Sequence, residues 1–397
     1  MRGVRVVVVG AGAWGLPTAT ELARRGHDTT VVDRFPPGSP WASSGGPTRL
    51  WRVADPDPAL TRLGRRSLDA MRRLEARLGA PMHTRPGLLW RDSPTALDLI
   101  RAAVVAEGVP HNEVPAGSVG EVFPGLRPDE RDALWLPEAG ALLCPEALTG
   151  YQRLLEAAGG RLVVGPVVTA VLDTASGASV ELADGSRLHA DVAVLCAGPG
   201  TPALLDGLGL HVPLRPFLEQ VVHVDAAADP LRGAHLPCLF DGPGEHGAGV
   251  YTMPTPGVGY KVGIDDPLRE LRPDDLDRTP DPARTRAIVE RTRHLLPELG
   301  SDVIDELVCC WTDSADGSFV IDRTGAVVVA CGDAGKGFKY SPAIGEVLAD
   351  LAEDRPTDPD VAAMSAARFA DYRPGPTWVP TSLGGAPDPV TIEREGP

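Results

Sequence analysis

The sequence predicts an α/β (α+β) protein, with a βαβ unit at the N-terminus and a second domain of mixed or antiparallel sheet. Residues 4–9 are an apolar run that leads through a glycine-rich turn and a helical stretch to a second apolar run ending at Asp33. Near the C-terminus, the apolar run 327–331 is followed by a second glycine-rich turn at 332–339. Between these two units, residues 216–265 alternate in polarity and carry many glycines, which favours antiparallel strands.

The first turn has the spacing that binds a dinucleotide. Gly10 permits the sharp turn, Gly12 lets the backbone approach a pyrophosphate, and Gly15 lets the helix pack closely on the strand. The free N–H groups at the helix N-terminus attract phosphate, and Asp33 can accept hydrogen bonds from a ribose diol. The chain is therefore predicted to bind FAD or NAD; an ordinary βαβ unit with a tight turn is the alternative.

The second glycine-rich turn favours FAD over NAD. A simple nicotinamide dehydrogenase does not need it, whereas flavoproteins with a discontinuous FAD domain return there to cover the ribityl chain and the isoalloxazine. We expect a glutathione-reductase-like FAD-binding Rossmann domain whose segments are separated by a substrate domain. The predicted segments are 1–83, 140–215 and 310–373 for the FAD-binding domain, 84–139 and 216–309 for the substrate domain, and 374–397 for a Pro/Gly-rich tail.

Periodicity places the regular elements along the chain. Apolar side chains recur at helical spacing over 57–78, 94–107, 145–158, 282–296 and 344–352. Strand patterns occupy 86–90, 162–164, 167–172, 180–182, 187–189, 191–196, 303–311 and 319–322.

Composition excludes several classes of function. The 397 residues suffice for two domains, and 43% hydrophobic content is ordinary for an enzyme. A net charge of -16 argues against nucleic acid or an anionic membrane as partner. We see no signal peptide and no run near the roughly 20 apolar residues of a membrane span. The six cysteines include no C-x-x-C pair, so we expect a cytoplasmic protein with no metal site.

Four ordered motifs carry a resemblance to a known family. They are Thr-Arg-Leu-Trp-Arg at 48–52, Val-Cys-Cys-Trp-Thr at 308–312, Phe-Val-Ile-Asp at 319–322, and Gly-Lys-Gly-Phe-Lys at 335–339 with Gly-Glu-Val-Leu shortly after it. Through them the chain resembles the monomeric sarcosine oxidase and N-methyltryptophan oxidase family, FAD-dependent amine oxidases of the D-amino-acid oxidase superfamily. The likeness runs from residue 4 to about residue 352.

The resemblance implies how the cofactor is held. One cysteine of that family binds FAD covalently through the 8α-methyl group, and Cys309 occupies the matching position. Cys310 is the rival, because successive strand side chains face opposite ways and only one of the two should face the flavin; both could instead be core residues. The expected cofactor contacts are Gly10, Gly12, Gly15, Asp33, Arg34, Ser43, Ser44, Val168, Gly198, Cys309, Gly332, Gly335, Gly337, Phe338 and Lys339.

The resemblance also implies catalytic roles. Arg52 and Lys339 match the residues that grip the substrate carboxylate, which suits a guanidinium fork and an ammonium. Lys261 matches the lysine that contacts flavin N5 through water, where a fixed positive charge stabilises superoxide as it forms from O2. Tyr251 matches a tyrosine of the substrate cavity, and Arg49 should lie near the flavin. The alternatives are that the charged side chains form solvated ion pairs, that Tyr251 is a core residue and that Arg49 only fixes a loop.

Some positions depart from the family pattern. Many relatives carry histidine where this chain has Gly45 and Asp265, and Lys336 also replaces a histidine. An acid at 265 could accept a proton or pair with a cationic substrate. Asp333 makes the C-terminal turn a Gly-Asp, as in some flavin hydroxylases. These departures point away from sarcosine itself as the substrate, while the cofactor and the reaction type stay the same.

The sequence therefore predicts an FAD-dependent oxidase of a secondary or cyclic amino acid. The C–N bond is oxidised to an imine, and O2 reoxidises the flavin and yields hydrogen peroxide. The alternatives are an amino acid dehydrogenase with an acceptor other than O2, an NADPH-dependent flavin hydroxylase, and a non-catalytic FAD-binding module. The expected partners are a small amine or amino acid with a carboxylate and O2, and we expect a monomer or small homo-oligomer.

Overall fold

The protein is described by a computed structural model that covers residues 3–225, 236–244, 247–373 and 378. The predicted tail 374–397 lies outside the described residues, apart from Trp378. The indole Nε1 of Trp378 donates a hydrogen bond to Asp313 Oδ2 at 3.3 Å. Across the described ranges, no helix combines the length and the apolar character that a membrane crossing requires.

Strands and short helices alternate along the chain. The strands are β1 (Arg5–Val9), β2 (Asp28–Asp33), β3 (Thr48–Trp51), β4 (His83–Thr84), β5 (Leu88–Arg91), β6 (Asn112–Val114), β7 (Ala133–Leu136), β8 (Gly140–Leu143), β9 (Arg161–Val164), β10 (Val168–Thr174), β11 (Gly177–Leu182), β12 (Arg187–Ala190), β13 (Val192–Leu195), β14 (Leu214–Val224), β15 (Cys238–Asp241), β16 (Val250–Thr255), β17 (Gly259–Ile264), β18 (Arg269–Glu270), β19 (Val303–Ser314), β20 (Val320–Thr324) and β21 (Val327–Cys331). The α-helices are α1 (Gly15–Arg24), α2 (Pro58–Leu78), α3 (Pro94–Ala106), α4 (Val119–Val122), α5 (Cys144–Ala157), α6 (Pro282–Leu295), α7 (Ser341–Ala352) and α8 (Pro359–Ala362).

The first sheet is that of the predicted βαβ unit. Its strand order is β20-β21-β13-β1-β2-β9, and all neighbours are parallel except β20 and β21. Helices α1, α5 and α7 pack together on one face, and the antiparallel meander β10-β11-β12 covers the other. Val6 and Val8 accordingly lie in one core, and Val7 and Val9 lie in another. Burial on both faces explains why β1 is an uninterrupted apolar run.

The second sheet has nine strands and forms the body of the other domain. Its order is β18-β14-β17-β16-β15-β5-β7-β6, with β19 also paired to β14. Neighbours are antiparallel except β15 and β5, which run parallel. Helix α6 packs against β14 and β17. A third, small sheet, β3-β8-β4, lies next to this one, since β16 contacts both β3 and β8.

Three predicted domain boundaries fall inside strands: 83/84 inside β4, 215/216 inside β14 and 309/310 inside β19. The boundary at 309/310 divides β19 near its middle. That strand pairs with β14 from Leu214 opposite Ser314 to Val224 opposite Val303. Because a boundary inside a paired strand would divide one hydrogen-bonded sheet between two domains, we place it after Ser314.

Candidate active site

A single deep cavity of about 800 Å³ joins the two domains. Its walls include the first glycine turn, the segment 196–204, the face of the nine-stranded sheet and the C-terminal glycine turn. The cavity is therefore built from segments that are far apart in the chain, and it contains nearly all of the residues that the sequence predicts for the site.

The three glycines of the first turn have different structural roles. Gly10 has φ +107°, and a Cβ there would lie 2.2 Å from Cys196 O. A Cβ on Gly15 would lie 1.9 Å from Gly10 O, so the helix could not start so close to the strand. Around Gly12, by contrast, the nearest atom to a Cβ is Ser44 Oγ at 2.9 Å. Gly10 and Gly15 are thus required by packing, and Gly12 lines the open side of the turn.

Asp33 fixes the turn from the end of β2. Its Oδ2 accepts a hydrogen bond from Ala11 N at 2.6 Å, and its Oδ1 accepts one from Phe35 N at 2.9 Å. Burial raises the pKa of Asp33, and the backbone hydrogen bonds to its carboxylate partly offset this rise. Each carboxylate oxygen keeps a further lone pair toward the cavity, so the ribose role predicted for Asp33 is compatible with these bonds.

The other predicted cofactor contacts on the N-terminal side also lie on the cavity wall. Ser44 Oγ accepts from Ala13 N at 2.9 Å, and Ser43 Oγ lies 3.6 Å from Cys310 Sγ. Arg34 pairs with Asp274 Oδ1 at 3.2 Å, at the protein surface. Val168, at the start of β10, and Gly198, which has φ +53°, complete this part of the wall.

The C-terminal turn is locked to the N-terminal one. Trp14 Nε1 donates to Gly337 O at 3.0 Å, and a Cβ on Gly337 would lie 2.9 Å from the Trp14 ring. Gly332 and Gly335 have φ of +70° and +67°. All three glycines and Phe338 line the cavity, so the two glycine-rich turns meet around one space.

Asp333 holds this second turn to β19. Its Oδ2 accepts from Thr312 N at 3.1 Å, and its Oδ1 accepts from Gly335 N at 3.0 Å. Burial raises the pKa of Asp333 to about 7. These bonds explain the Gly-Asp sequence, which the sequence analysis had associated with hydroxylases, through the geometry of the turn.

The buried Lys261 and the half-buried Arg49 form a cationic pair. Lys261 Nζ donates to Thr48 O at 2.8 Å, and Arg49 NH1 donates to the same carbonyl at 2.9 Å. Arg49 NH2 also donates to Ser43 O and Gly45 O, so it clamps the loop before β3. Burial, followed by repulsion from Arg49, lowers the pKa of Lys261 to about 8.

Arg52 and Lys339 form a second buried cationic pair. Their residues are 3% and 4% exposed. The Arg52 guanidinium stacks over the Trp90 ring at 4.0 Å, and Lys339 Nζ lies 4.7 Å from the Tyr340 ring centroid. Burial lowers the pKa of both groups, and their mutual repulsion lowers that of Lys339 further.

Asp55 accompanies this pair and was missed by the sequence analysis. Burial raises its pKa, but Lys336, Lys339 and Arg52 outweigh that effect, so the pKa is lowered overall. It also accepts a hydrogen bond from Tyr340 OH at 3.3 Å. The only signal in the sequence was its place three residues after Arg52.

The two adjacent cysteines face opposite sides of β19. Cys309 lies opposite Glu219, and Cys310 lies opposite Leu218. Cys310 is buried with Leu218 in a small apolar cluster, and its Sγ lies 3.6 Å from Trp41 O. Cys309 is half-buried. Alternation along the strand puts the two thiols on opposite sides, and both residues line the cavity, so which of them meets the flavin stays a prediction.

Tyr251 and Gly263 are cross-strand partners. They lie directly opposite each other on β16 and β17, and a Cβ on Gly263 would lie 2.3 Å from Tyr251 Cζ. The glycine leaves space for the tyrosine ring. Gly45 has a similar explanation, because a Cβ there would lie 2.4 Å from Ser39 O. This backbone cannot accept the histidine that many relatives carry at that position.

Two acids complete the sheet side of the cavity. Asp265 follows β17, and its N–H donates to Gly249 O at 2.7 Å. Glu219, on β14, was not predicted; it is 6% exposed and lines the cavity. Burial raises its pKa well above the usual value, and Cys309 and Asp265 add to this effect. The strand pattern of 214–224 alone gave no reason to single it out.

Comparison with known families supports the prediction that the chain is an FAD-dependent enzyme. The family described as FAD dependent oxidoreductase (DAO) matches residues 5–351. Among curated proteins, the monomeric sarcosine oxidase of Bacillus sp. (strain B-0618) is 28% identical, covering 92% of this chain and 96% of its own length. The N-methyl-L-tryptophan oxidase of Escherichia coli O157:H7 is 25% identical, covering 92% and 99%. The resemblance inferred from the motifs is thereby confirmed.

Solved structures support the same fold. NikD in its open form, described as an unusual amino acid oxidase essential for nikkomycin biosynthesis, superimposes with a TM-score of 0.80 at 25% identity, covering 92% of this chain and 98% of that chain. The L-proline dehydrogenase of P. horikoshii has a TM-score of 0.80 at 22% identity, covering 93% and 98%, and shows the fold alone. The predicted α/β fold is confirmed.

Proposed function

The chain belongs to the FAD dependent oxidoreductase family, and from this premise we propose that it oxidises the C–N bond of a secondary or cyclic amino acid and passes the electrons to O2. Bound FAD would supply the electron-accepting ring, and the protein supplies placement, charge and exclusion of water. The sarcosine and N-methyltryptophan oxidases that it resembles support this class of substrate.

The observation that carries the proposal is the meeting of Arg52 and Lys339 in one buried part of the cavity. They are far apart in the chain, yet in the fold the Arg52 guanidinium lies close enough to lower the pKa of Lys339. Two cations brought together away from water are unfavourable unless anions join them, and Asp55 balances only one of the two charges. A substrate carboxylate, held by the guanidinium fork and the ammonium, is the second anion that we propose.

The cavity residues fit FAD. The open side of the turn at Gly12 and the start of α1 would hold the pyrophosphate, and Asp33 would hold the ribose. Both cysteines line the cavity, but Cys309 lies on the side of β19 that Glu219 shares, whereas Cys310 is buried with Leu218 in an apolar cluster. Cys309 also matches the flavin-binding cysteine of the family, so we place a covalent bond to FAD there.

Lys261 carries the proposed reaction with O2. It is buried, it belongs to the cationic pair with Arg49, and its pKa of about 8 keeps it charged at neutral pH. A fixed cation in a site shielded from water stabilises superoxide as it forms and thus speeds the first electron transfer to O2. We propose hydrogen peroxide as the product.

Because all six cysteines are free thiols, we also propose a cytoplasmic location.

The test is spectroscopic. The purified protein is reconstituted with FAD and mixed anaerobically with a panel of secondary and cyclic amino acids, and bleaching of the flavin is recorded. Air is then admitted, and the return of colour and the peroxide formed are measured. Bleaching by a member of the panel, with peroxide after aeration, is expected. Bleaching followed by slow reoxidation would indicate a dehydrogenase, NADPH-driven bleaching would indicate a hydroxylase, and no bleaching by any member would overturn the proposal.

A further inference from the structure

Glu219 is a buried carboxyl group in the cavity wall that the proposed reaction does not yet use. Its residue is 6% exposed, and it faces the same side of the sheet as Cys309. Among the described residues, no hydrogen-bond donor or cation pairs with its carboxyl group. Arg284, a cation that lowers the pKa of Glu219, already donates to Asp266 Oδ2 and Pro267 O.

The surroundings of Glu219 are mainly acidic or neutral. Burial, followed by Cys309 and Asp265, raises the pKa of Glu219 well above its usual value. Every adjoining element contributes a titratable group: Cys309 from β19, Tyr251 from β16, Lys261 from β17, Asp265 and Asp266 from the turn after β17, and Arg284 from α6.

A buried polar group without a partner is unfavourable, and in natural proteins such a group calls for an explanation. Here the explanation is the distribution of charge in the cavity. Arg52 and Lys339 supply two cations, and Glu219 and Asp265 supply two acids on the sheet side of the same space. Asp265 lines the same cavity and interacts electrostatically with both Arg52 and Glu219. Such a cavity is complementary to a zwitterion.

We propose that Glu219 binds the amino group of the substrate and holds the proton that this group gives up before oxidation. The inference rests on the proposed function, because it assigns the second end of the same substrate. In the step, one N–H bond of the ammonium breaks and one O–H bond to the Glu219 carboxylate forms; no electrons leave the substrate. The proton only moves between the two groups, so an ammonium beside a carboxylate becomes a neutral amine beside a neutral carboxylic acid.

The amine must be neutral before it can be oxidised, since its nitrogen lone pair stabilises the developing imine. Glu219 would therefore allow the enzyme to work below the pKa of the free amine. Glu219→Gln keeps the size of the side chain and removes this ability. Glu130→Gln makes the same change at an exposed position outside the cavity and is the matched control.

The first experiment measures ligand binding and requires no turnover. N,N-dimethylglycine and 3-methylbutanoate have the same shape, and only the first carries a charged nitrogen. Their dissociation constants are measured from the spectrum of the oxidised flavin in the anaerobic holoenzyme. We expect wild type and Glu130→Gln to prefer dimethylglycine at least about tenfold, and Glu219→Gln to lose that preference while binding 3-methylbutanoate within about threefold of wild type. An unchanged preference in Glu219→Gln, or no binding of either ligand to wild type, would overturn the inference.

The second experiment follows the rate of anaerobic flavin reduction against pH. We expect Glu219→Gln to be about tenfold slower than wild type near neutral pH and to approach it as the pH nears the pKa of the free amine. Glu219→Asp should retain part of the neutral-pH rate. Parallel profiles for wild type and Glu219→Gln would contradict the inference but leave the proposed function intact. Failure of the proposed function is distinct, because wild type itself would then not be bleached by any amino acid.

Discussion

Gly263 lies directly opposite Tyr251 in the antiparallel pair β17–β16, and a side-chain carbon on Gly263 would lie 2.3 Å from Tyr251 Cζ. The position of the tyrosine ring in the cavity wall therefore depends on the absence of a side chain one strand away. The family resemblance implied a role for Tyr251 but not its pairing with Gly263, and this pairing leads to the first prediction.

Gly263→Ala should destabilise the protein by about 1 to 3 kcal/mol, because the added methyl group meets the Tyr251 ring in a packed site. Urea unfolding followed by circular dichroism measures the change. Gly120→Ala is the control, since a Cβ there meets no atom within 4 Å. In a Gly263→Ala/Tyr251→Ala double variant, the loss due to the alanine at 263 should largely disappear. If the two losses simply add, the ring does not cause the effect.

Lys261 should make the reaction with O2 depend on pH. Its pKa is lowered to about 8, so the cation is fully present below that pH and is lost as the pH rises through it. The rate constant for reoxidation of the reduced flavin should therefore fall as the pH rises through about 8. Lys261→Met should be about 100-fold slower at neutral pH and lack this dependence. Stopped-flow mixing of reduced enzyme with O2 measures both.

Lys336→Met provides the control for Lys261, because it removes another cation from the cavity wall. We expect it to retain the fall near pH 8. A Lys261→Met variant with the wild-type profile would exclude Lys261 as the group that controls the reaction with O2.

Arg52→Gln should weaken substrate binding about 100-fold, which corresponds to about 2.7 kcal/mol, because the bidentate contact to the carboxylate is lost in a buried site. Saturation of the rate of anaerobic flavin reduction gives the dissociation constant. An amine without the carboxylate should bind wild type and variant alike. Arg62→Gln, which removes a surface arginine paired with Glu107 and Asp360, is the control for loss of charge. Equal weakening for both ligands would indicate a structural defect.

Cys309→Ser should release the flavin, whereas Cys310→Ser should keep it covalently bound. The reason is strand alternation: Cys309 faces the cavity side with Glu219, and Cys310 packs with Leu218. Acid precipitation separates the two outcomes, since covalent flavin stays yellow in the pellet and free FAD stays in the supernatant. The assignment to Cys309 fails if the wild-type pellet is colourless, or if colour is lost only in Cys310→Ser.

The local motifs were predictable because each is contained in a short segment. The turn of Gly10, Gly12 and Gly15 combines a strand end, a positive φ and a helix start within a few residues. Periodicity likewise located α2 and the strands of the first sheet, with ends displaced by one or two residues. The boundary placed inside β19 was wrong because pairing with β14, not composition, determines where that strand ends.

The sequence by itself determined the βαβ unit, the second glycine-rich turn and the family motifs, since each depends on neighbours along the chain. Only the tertiary structure decided which distant side chains share the cavity. Sheet register sets Glu219 opposite Cys309 and Gly263 opposite Tyr251, and folding brings Asp55 to the cations Arg52 and Lys339. The physical reason is that burial sets the pKa of the ionisable groups and strand pairing sets which side chains are neighbours. Neither can be read from the order of residues along the chain.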